Sequence, residues 1–140
     1  MTIDKLIRRF QTADTHLRLE TLLEASKRLP DLPERLKADR DREAHRISEC
    51  QTPVFLWLEG DGDILRLSAD VPRESPTVRG FVSLLVRELD GQPLAAAAAL
   101  PADLIHLLGL DEALGMMRTQ GLTAIVQRIR RLAAGLVVAG

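Results

Sequence analysis

The sequence predicts an α+β fold in which a small antiparallel sheet packs against several helices. Apolar residues recur at helical spacing toward both ends of the chain, and two strand-like runs joined by a turn rich in glycine and aspartate lie between them. Because the helical and strand-like segments fall in separate blocks, they favour an α+β arrangement over alternating βαβ units. We expect one domain over residues 1–140, whose hairpin leaves room for a short third strand.

The N-terminal part of the chain predicts a helix pair. A helical period of apolar residues is followed by Asp14, a residue type that caps helices, and then by a second helical period. Pro30 and Pro33 end the second helix, because the residue before a proline is steered away from helical geometry. Residues 34–43 are densely charged and predict a solvated connector, either irregular or one loose helical turn. The periodic positions are Ile3, Leu6, Ile7 and Phe10, then Leu19, Leu22, Leu23 and Ser26.

Residues 54–59 and 64–70 predict the two strands of a hairpin. Residues 60–63 between them alternate glycine with aspartate, which supply the positive φ that a tight turn requires. The second run alternates apolar with polar residues and predicts one buried and one solvated face. The first run is apolar on both faces, so we expect a central strand covered on both sides, with Phe55 and Trp57 in the core.

The C-terminal half predicts further helices. An apolar stripe that begins after Pro76 and ends at Gly91 predicts one long helix. Residues 93–99 and 101–108 each begin with proline and predict two shorter helices. Residues 109–121 predict an irregular segment, and a last helix is expected from residue 122 to about residue 134. In that helix Ile125, Val126, Ile129 and Leu132 should face inward, and Arg128, Arg130 and Arg131 outward.

The composition and the short motifs exclude several classes of function. A net charge of −1, with basic and acidic residues interleaved and only four Phe or Trp residues for base stacking, argues against nucleic-acid binding. No glycine loop that cradles phosphate is present. His16, His45 and His106 are too scattered to predict a metal site. Asp61 and Asp63 lack the glutamate that a calcium loop requires and are typical of a hairpin turn.

The N-terminal segment mixes charged with apolar residues, unlike the continuous apolar core of a signal peptide. No run approaches the roughly 18 apolar residues of a membrane span. We therefore expect a cytoplasmic protein with no membrane partner. A free thiol agrees with this expectation, because a reducing compartment keeps thiols reduced.

Cys50 is the only cysteine, and it lies where a polar stretch runs into the first predicted strand. A single thiol closes no intramolecular disulfide, so any chemistry it performs involves a second molecule. It is therefore a candidate nucleophile. The alternative is that Cys50 is a small buried hydrophobe, the commonest role of a free cysteine.

Four segments in order carry a resemblance to a known family. They are residues 29–33 (LPDLP), Cys50-Gln51-Thr52 entering the first strand, residues 77–81 (TVRGF) and residues 118–122 (RTQGL). Together they span about residues 28–134 and resemble the SufE family of sulfur-acceptor proteins.

The resemblance implies a SufE/NifU-like fold and a sulfur relay. Cys50 would take persulfide sulfur from a SufS-like, PLP-dependent cysteine desulfurase, stimulate that enzyme, and deliver sulfur to a SufBCD-like iron–sulfur scaffold complex. The chain would be a carrier and activator more than an enzyme. It would need no cofactor beyond a transient persulfide, since the PLP belongs to the partner, and would be a monomer or weak homodimer. Arg118 and Gln51 would be partner contacts.

One departure from the family pattern lies next to the cysteine. Glu49 stands where the family often has glycine. A carboxylate beside a thiol should raise the thiol pKa, which would leave Cys50 dependent on a cation such as Arg46 or Arg118. Arg118 has a second interpretation, as a residue at the start of the last helix that pairs with the preceding loop.

Two other functions compete with the relay. A docking module would stimulate a desulfurase while Cys50 stays inert. A single-cysteine redox sensor would react with peroxide instead of persulfide.

Overall fold

The structure is a computed structural model and describes residues 2–139. In this range an N-terminal helix pair precedes a β-hairpin, and a group of helices follows it. The elements are α1 (Thr2–Gln11), α2 (Thr15–Ser26), α3 (Glu34–Lys37), a 3₁₀ turn (Arg42–His45), β1 (Phe55–Asp61), β2 (Ile64–Asp70), α4 (Pro76–Leu89), α5 (Leu94–Ala98), α6 (Leu104–Leu107), α7 (Leu110–Leu114) and α8 (Met116–Ala139). The predicted α+β class is confirmed.

The helix pair forms as the sequence predicts. Asp14 caps α2, and its Oδ1 accepts a hydrogen bond from the backbone N–H of Leu17 at 2.8 Å. The charged connector contains a single helical turn, α3, followed by the 3₁₀ turn. None of the helices in residues 2–139 combines the length and the hydropathy of a membrane-spanning segment.

A close crossing of α2 and α4 organises the helical layer. Gly80 lies at the crossing, where a Cβ atom would collide with the main chain of Leu22. The neighbouring Arg79 is buried; its Nε donates to Ser26 O at 2.8 Å and its Nη1 donates to Val71 O at 2.6 Å. Segment 77–81 therefore joins the end of α2, the end of the hairpin and the start of α4.

The two predicted runs pair as an antiparallel hairpin, and the observed register runs from Phe55 opposite Asp70 to Asp61 opposite Ile64. Gly62 has a φ of 60°, which a tight turn requires. Within the described residues the sheet has two strands and no third one; isolated bridges, such as Arg46 to Phe55, extend it. That bridge does not grow into a strand because the Ile47 carbonyl accepts from the Cys50 N–H, which turns the chain away from the sheet.

Strand β1 is covered on both faces, although in a two-stranded sheet it is not central. One face belongs to the main core. On the other, Phe55 and Trp57 pack with Leu36 in a second small cluster. The Trp57 Nε1–H donates to Asp39 at 2.8 Å, and the His45 ring stacks on Trp57 with centroids 5.1 Å apart. Both aromatic residues are core residues, as predicted.

The prediction of an irregular segment over residues 109–121 is wrong. Helix α7 lies within it, and α8 begins at Met116 and continues to Ala139. The chain breaks at Gly115, whose φ is 80°, whereas Gly121 is inside α8. The sequence suggests a break at Gly121 because glycine weakens helices; its actual role is a close tertiary contact described below.

The inward face of α8 is largely as predicted. Its buried residues include Ile125, Val126 and Ile129, while Leu132 is half-buried. Arg131 is exposed as expected, but Arg128 and Arg130 are half-buried. Of the two short helices, α5 starts directly after Pro93, whereas α6 starts at Leu104 rather than at Pro101.

Candidate functional site

The candidate nucleophile lies in a tight loop that leads into β1. The Ile47 N–H donates to Val54 O at 2.9 Å, and the Cys50 N–H donates to Ile47 O at 3.1 Å. These bonds fold residues 47–54 back on themselves and direct the Cys50 side chain inward, where only 6% of the residue is exposed. The resting thiol therefore packs like a small hydrophobe.

Helix α8 approaches the cysteine at Gly121. A Cβ atom at this position would lie 2.8 Å from Cys50 Sγ, closer than van der Waals contact permits. Any other residue here would force one of the two groups to move. Gly121 is thus the point at which a continuous helix contacts the thiol.

A cavity of about 260 Å³ adjoins the thiol. It lies between three segments that are distant in sequence: the Cys50 loop, the start of α4 and the start of α8. The structure brings all three predicted site residues, Cys50, Gln51 and Arg118, to this cavity. The other lining residues are Thr52, Glu74, Ser75, Pro76, Thr77, Val78, Met117 and Gly121.

Sequence reasoning missed the contribution of the start of α4. The proline-flanked segment before α4 is an obvious chain break in the sequence, but nothing local indicates that it faces Cys50. In the structure the Thr52 Oγ1–H donates to Ser75 Oγ at 3.1 Å and joins the two segments.

Arg118 is exposed in the first turn of α8. Across residues 2–139 its guanidinium has no hydrogen-bond or ion-pair partner, so the interpretation that it pairs with the preceding loop gains no support. Beside it, Met116 is 77% exposed and Met117 is 66% exposed. Exposed, flexible methionines next to a cavity are typical of a protein-binding surface.

The local environment disfavours the Cys50 thiolate. Burial raises the pKa of the thiol above its ordinary value, and the charge of Glu49 raises it further, while the backbone N–H of Thr52 acts in the opposite direction. The predicted effect of Glu49 is present, but burial is the larger cause. No cation within the described residues offsets it; the Arg46 guanidinium lies over the Phe55 ring, 5.8 Å from its centroid.

The Glu49 carboxylate is stabilised by its own surroundings. Its pKa is lowered by a backbone N–H, by the Ser48 hydroxyl, which donates to Oε1 at 3.0 Å, and by the charges of Arg128 and Arg131 on α8. The cations that matter near this loop therefore come from α8. Arg128 also donates to Arg46 O at 3.0 Å, at the base of the loop.

The histidines do not gather into a site. In the described part of the chain no three His, Cys, Asp or Glu side chains converge to hold a metal ion. His106 pairs with Asp111 at 2.7 Å on the surface, and His16 pairs with Glu20 at 3.1 Å. These are exposed local pairs.

Comparison with known proteins gives consistent results. A family model described as "SufE: Fe-S metabolism associated domain" matches residues 4–133. An uncharacterized SufE-like protein of Mycobacterium tuberculosis is 38% identical over 115 residues, which cover 81% of this chain and 78% of that protein. One of Rhizobium etli is 30% identical over 118 residues, covering 81% and 76% respectively. The solution structure of a hypothetical protein from Thermus thermophilus superposes with a TM-score of 0.82 at 28% identity, covering 98% of this chain and 96% of that one.

Gly121→Ala should displace the thiol. The new Cβ would meet Sγ, the mobile end of a short side chain, so we expect Sγ to rotate toward the cavity while the helix persists. Iodoacetamide should then alkylate Cys50 faster than in the parent. The melting temperature should lie about 4 °C below that of Gly135→Ala if the crowding costs about 1 kcal/mol, because both variants share the helix stability that alanine adds. Gly135→Ala in the same helix, where no atom lies within 4 Å, is the matched control. Equal alkylation rates in the two variants would contradict the contact.

Glu49→Gln tests the charge on the loop. Because the Glu49 carboxylate raises the pKa of Cys50, its neutralisation should lower that pKa and increase the thiolate fraction at neutral pH. We expect about a twofold faster alkylation, since exposed charges interact weakly. The pH dependence of the rate gives the thiol pKa directly. Glu49→Gly removes the same charge and also adds backbone freedom. An unchanged alkylation rate in both variants would show that neither the charge nor the backbone restriction controls the reactivity of the resting thiol.

Proposed function

The chain belongs to the SufE family, whose domain is associated with Fe–S metabolism, and on this premise we propose that Cys50 carries persulfide sulfur. Its source would be a PLP-dependent cysteine desulfurase, and its destination an iron–sulfur scaffold complex. The observation that supports this most directly is the position of the sole thiol of the chain, beside a cavity whose rim carries Gln51 and Arg118.

The proposed transfer is an exchange at sulfur. The Cys50 thiolate attacks the outer sulfur of a persulfide on the partner's cysteine. A bond forms between Sγ and that sulfur as the partner's S–S bond breaks, and the electron pair leaves with the partner's sulfur as a thiolate. Cys50 becomes a persulfide, and no external oxidant or reductant is consumed.

The resting state does not favour this attack. An ordinary cysteine is only about 3% thiolate at pH 7, and the raised pKa of Cys50 reduces that fraction further. Exposure of Cys50 on docking would remove the burial that is the main cause of the raised pKa. We therefore assign activation to the partner, which would bind the surface formed by Gln51, Met116, Met117 and Arg118. A carrier whose Cys50 is reactive only in the docked complex would lose less persulfide sulfur to other reductants.

Two features suit a carrier. The cavity of about 260 Å³ beside Sγ has ample room for one added sulfur atom. The chain has no second cysteine, so no internal thiol can attack a Cys50 persulfide and expel sulfide.

Burial of the thiol favours one competing function, a docking module that stimulates a desulfurase through surface contacts alone. Mass spectrometry after incubation with a desulfurase and free cysteine separates the candidates. A carrier gains the mass of one sulfur atom on Cys50, a docking module gains nothing, and a redox sensor treated with peroxide gains one oxygen atom.

Cys50→Ser should separate docking from chemistry. The serine hydroxyl nearly matches the thiol in size, so the variant should fold and bind the desulfurase. It should acquire no sulfur and should not accelerate cysteine turnover. Turnover is measured as alanine released, and binding by calorimetry. Stimulation equal to that of the parent would reject the relay in favour of the docking module.

Arg118→Ala should weaken binding to the desulfurase without unfolding the protein. The side chain is exposed and makes no hydrogen bond or ion pair within residues 2–139, so the melting temperature should stay within about 2 °C. We expect roughly a tenfold loss of affinity, as for an arginine at the centre of an interface. Arg9→Ala, an exposed arginine on α1, is the control. A normal affinity would remove Arg118 from the docking surface.

A further inference from the structure

One side-chain hydrogen bond joins the Cys50 loop to another element. Within the described residues, Thr52 to Ser75 at 3.1 Å is the single side-chain bond from residues 48–54 to a different part of the chain. It is partly buried and lies at the cavity, whose lining includes both residues. The remaining hydrogen bonds of the loop lie within it and are two backbone bonds and the Ser48–Glu49 side-chain bond. Arg128 of α8 bonds only to the base of the loop, at Arg46 O.

Ser75 is a firm attachment point. Its backbone N–H donates to Pro72 O at 3.2 Å, and its carbonyl accepts from Arg79 N–H at 2.9 Å. The Arg79 side chain in turn is buried and bound to Ser26 O and Val71 O. Ser75 is therefore held by the packed region around the α2–α4 crossing.

The Ser75 hydroxyl has an unusual role for its position. It immediately precedes α4, where a serine normally accepts a hydrogen bond from an N–H of the first turn. Here the side chain makes no such cap, and Ser75 Oγ accepts instead from Thr52. The Ser75 hydroxyl thus binds the Cys50 loop instead of capping α4.

We propose that Thr52 and Ser75 are positioning residues for sulfur transfer, whose mutual bond keeps the Cys50 loop closed and Sγ beside Gly121. This inference rests on the proposed carrier function and names the contact that regulates access to its thiol. Opening of the loop requires this bond to break. The Thr52–Ser75 bond therefore sets how often the free protein exposes its sulfur atom.

The bond has a predictable effect on the chemistry of Cys50. Loss of one neutral hydrogen bond should raise the open population roughly two- to tenfold. In the open loop the thiol is less buried, and burial is the main cause of its raised pKa. The pKa should therefore fall toward the ordinary value. Loss of the Thr52 N–H from the vicinity of Sγ opposes this fall, but it is the smaller effect.

Alkylation of the free protein by iodoacetamide, followed across the pH range in which the thiol ionises, tests the proposal. Thr52→Val keeps the branched shape but cannot donate, and Ser75→Ala removes the acceptor from the other side. Each should raise the limiting rate roughly two- to tenfold and lower the pKa. The double variant should react no faster than the faster single variant, because both lose the same bond. Thr52→Ser, which retains the hydroxyl, should match the parent.

Several results would overturn the proposal. They are an unchanged profile in Thr52→Val and Ser75→Ala, multiplied effects in the double variant, and a Thr52→Ser variant that behaves like Thr52→Val. A raised pKa of Cys50 with an unchanged limiting rate would also overturn the proposal. That result would mean that the Thr52 side chain does not hold the loop closed and only orients the Thr52 backbone N–H toward Sγ. Melting curves identify any variant that fails to fold, and the two singles lie in different segments, so either one alone gives a result.

The experiment is independent of the sulfur relay. Alkylation uses no desulfurase, so a protein that follows the predicted profiles but gains no sulfur from a desulfurase would reject the carrier function and retain the loop contact. A protein that gains sulfur from a desulfurase but shows unchanged alkylation profiles in the variants would support the carrier function and reject the loop contact.

Discussion

The crossing of α2 over α4 is the constraint on which the rest of the molecule depends. Gly80 allows the two helices to approach until a side chain would collide with the main chain of Leu22. Arg79, in the preceding position, directs its buried guanidinium to two carbonyls, one at the end of α2 and one just after β2. A buried guanidinium requires such partners, since unpaired polar groups in the interior are strongly unfavourable. Together the two residues fix where α4 starts, and with it one wall of the cavity.

The remaining walls depend on a different kind of contact. The Cys50 loop is shaped by its own backbone bonds and reaches α4 through Thr52, while α8 approaches Sγ at Gly121. Gly80 and Gly121 therefore both allow a close approach because they have no side chain. The cavity therefore lies between packed helices and a loop that one side-chain hydrogen bond joins to the start of α4. In the arrangement we propose, that bond controls access to the buried thiol.

Local patterns predicted much of this architecture from sequence. The helix pair, the hairpin and α4 follow from periodicity, capping and turn residues, all of which act within a few positions. Cys50 was identified because it is unique, and Gln51 and Arg118 through the family resemblance. Gly121 was misinterpreted because its role is a contact with a residue 71 positions earlier in the sequence. Ser75, Glu74 and Met117 were missed for the same reason: tertiary packing alone brings them to the thiol.

The outer cluster on β1 determines what optical spectroscopy can observe in this protein. The chain has one tryptophan and no tyrosine, so its intrinsic fluorescence comes from the Trp57 indole alone. That ring is buried under the 3₁₀ turn, bonded to Asp39 and stacked on His45, and it is not part of the cavity lining. Its emission therefore monitors detachment of the outer layer from the hairpin. Detection of a structural change near the Cys50 thiol by fluorescence therefore requires an extrinsic dye or a tryptophan introduced near the start of α8.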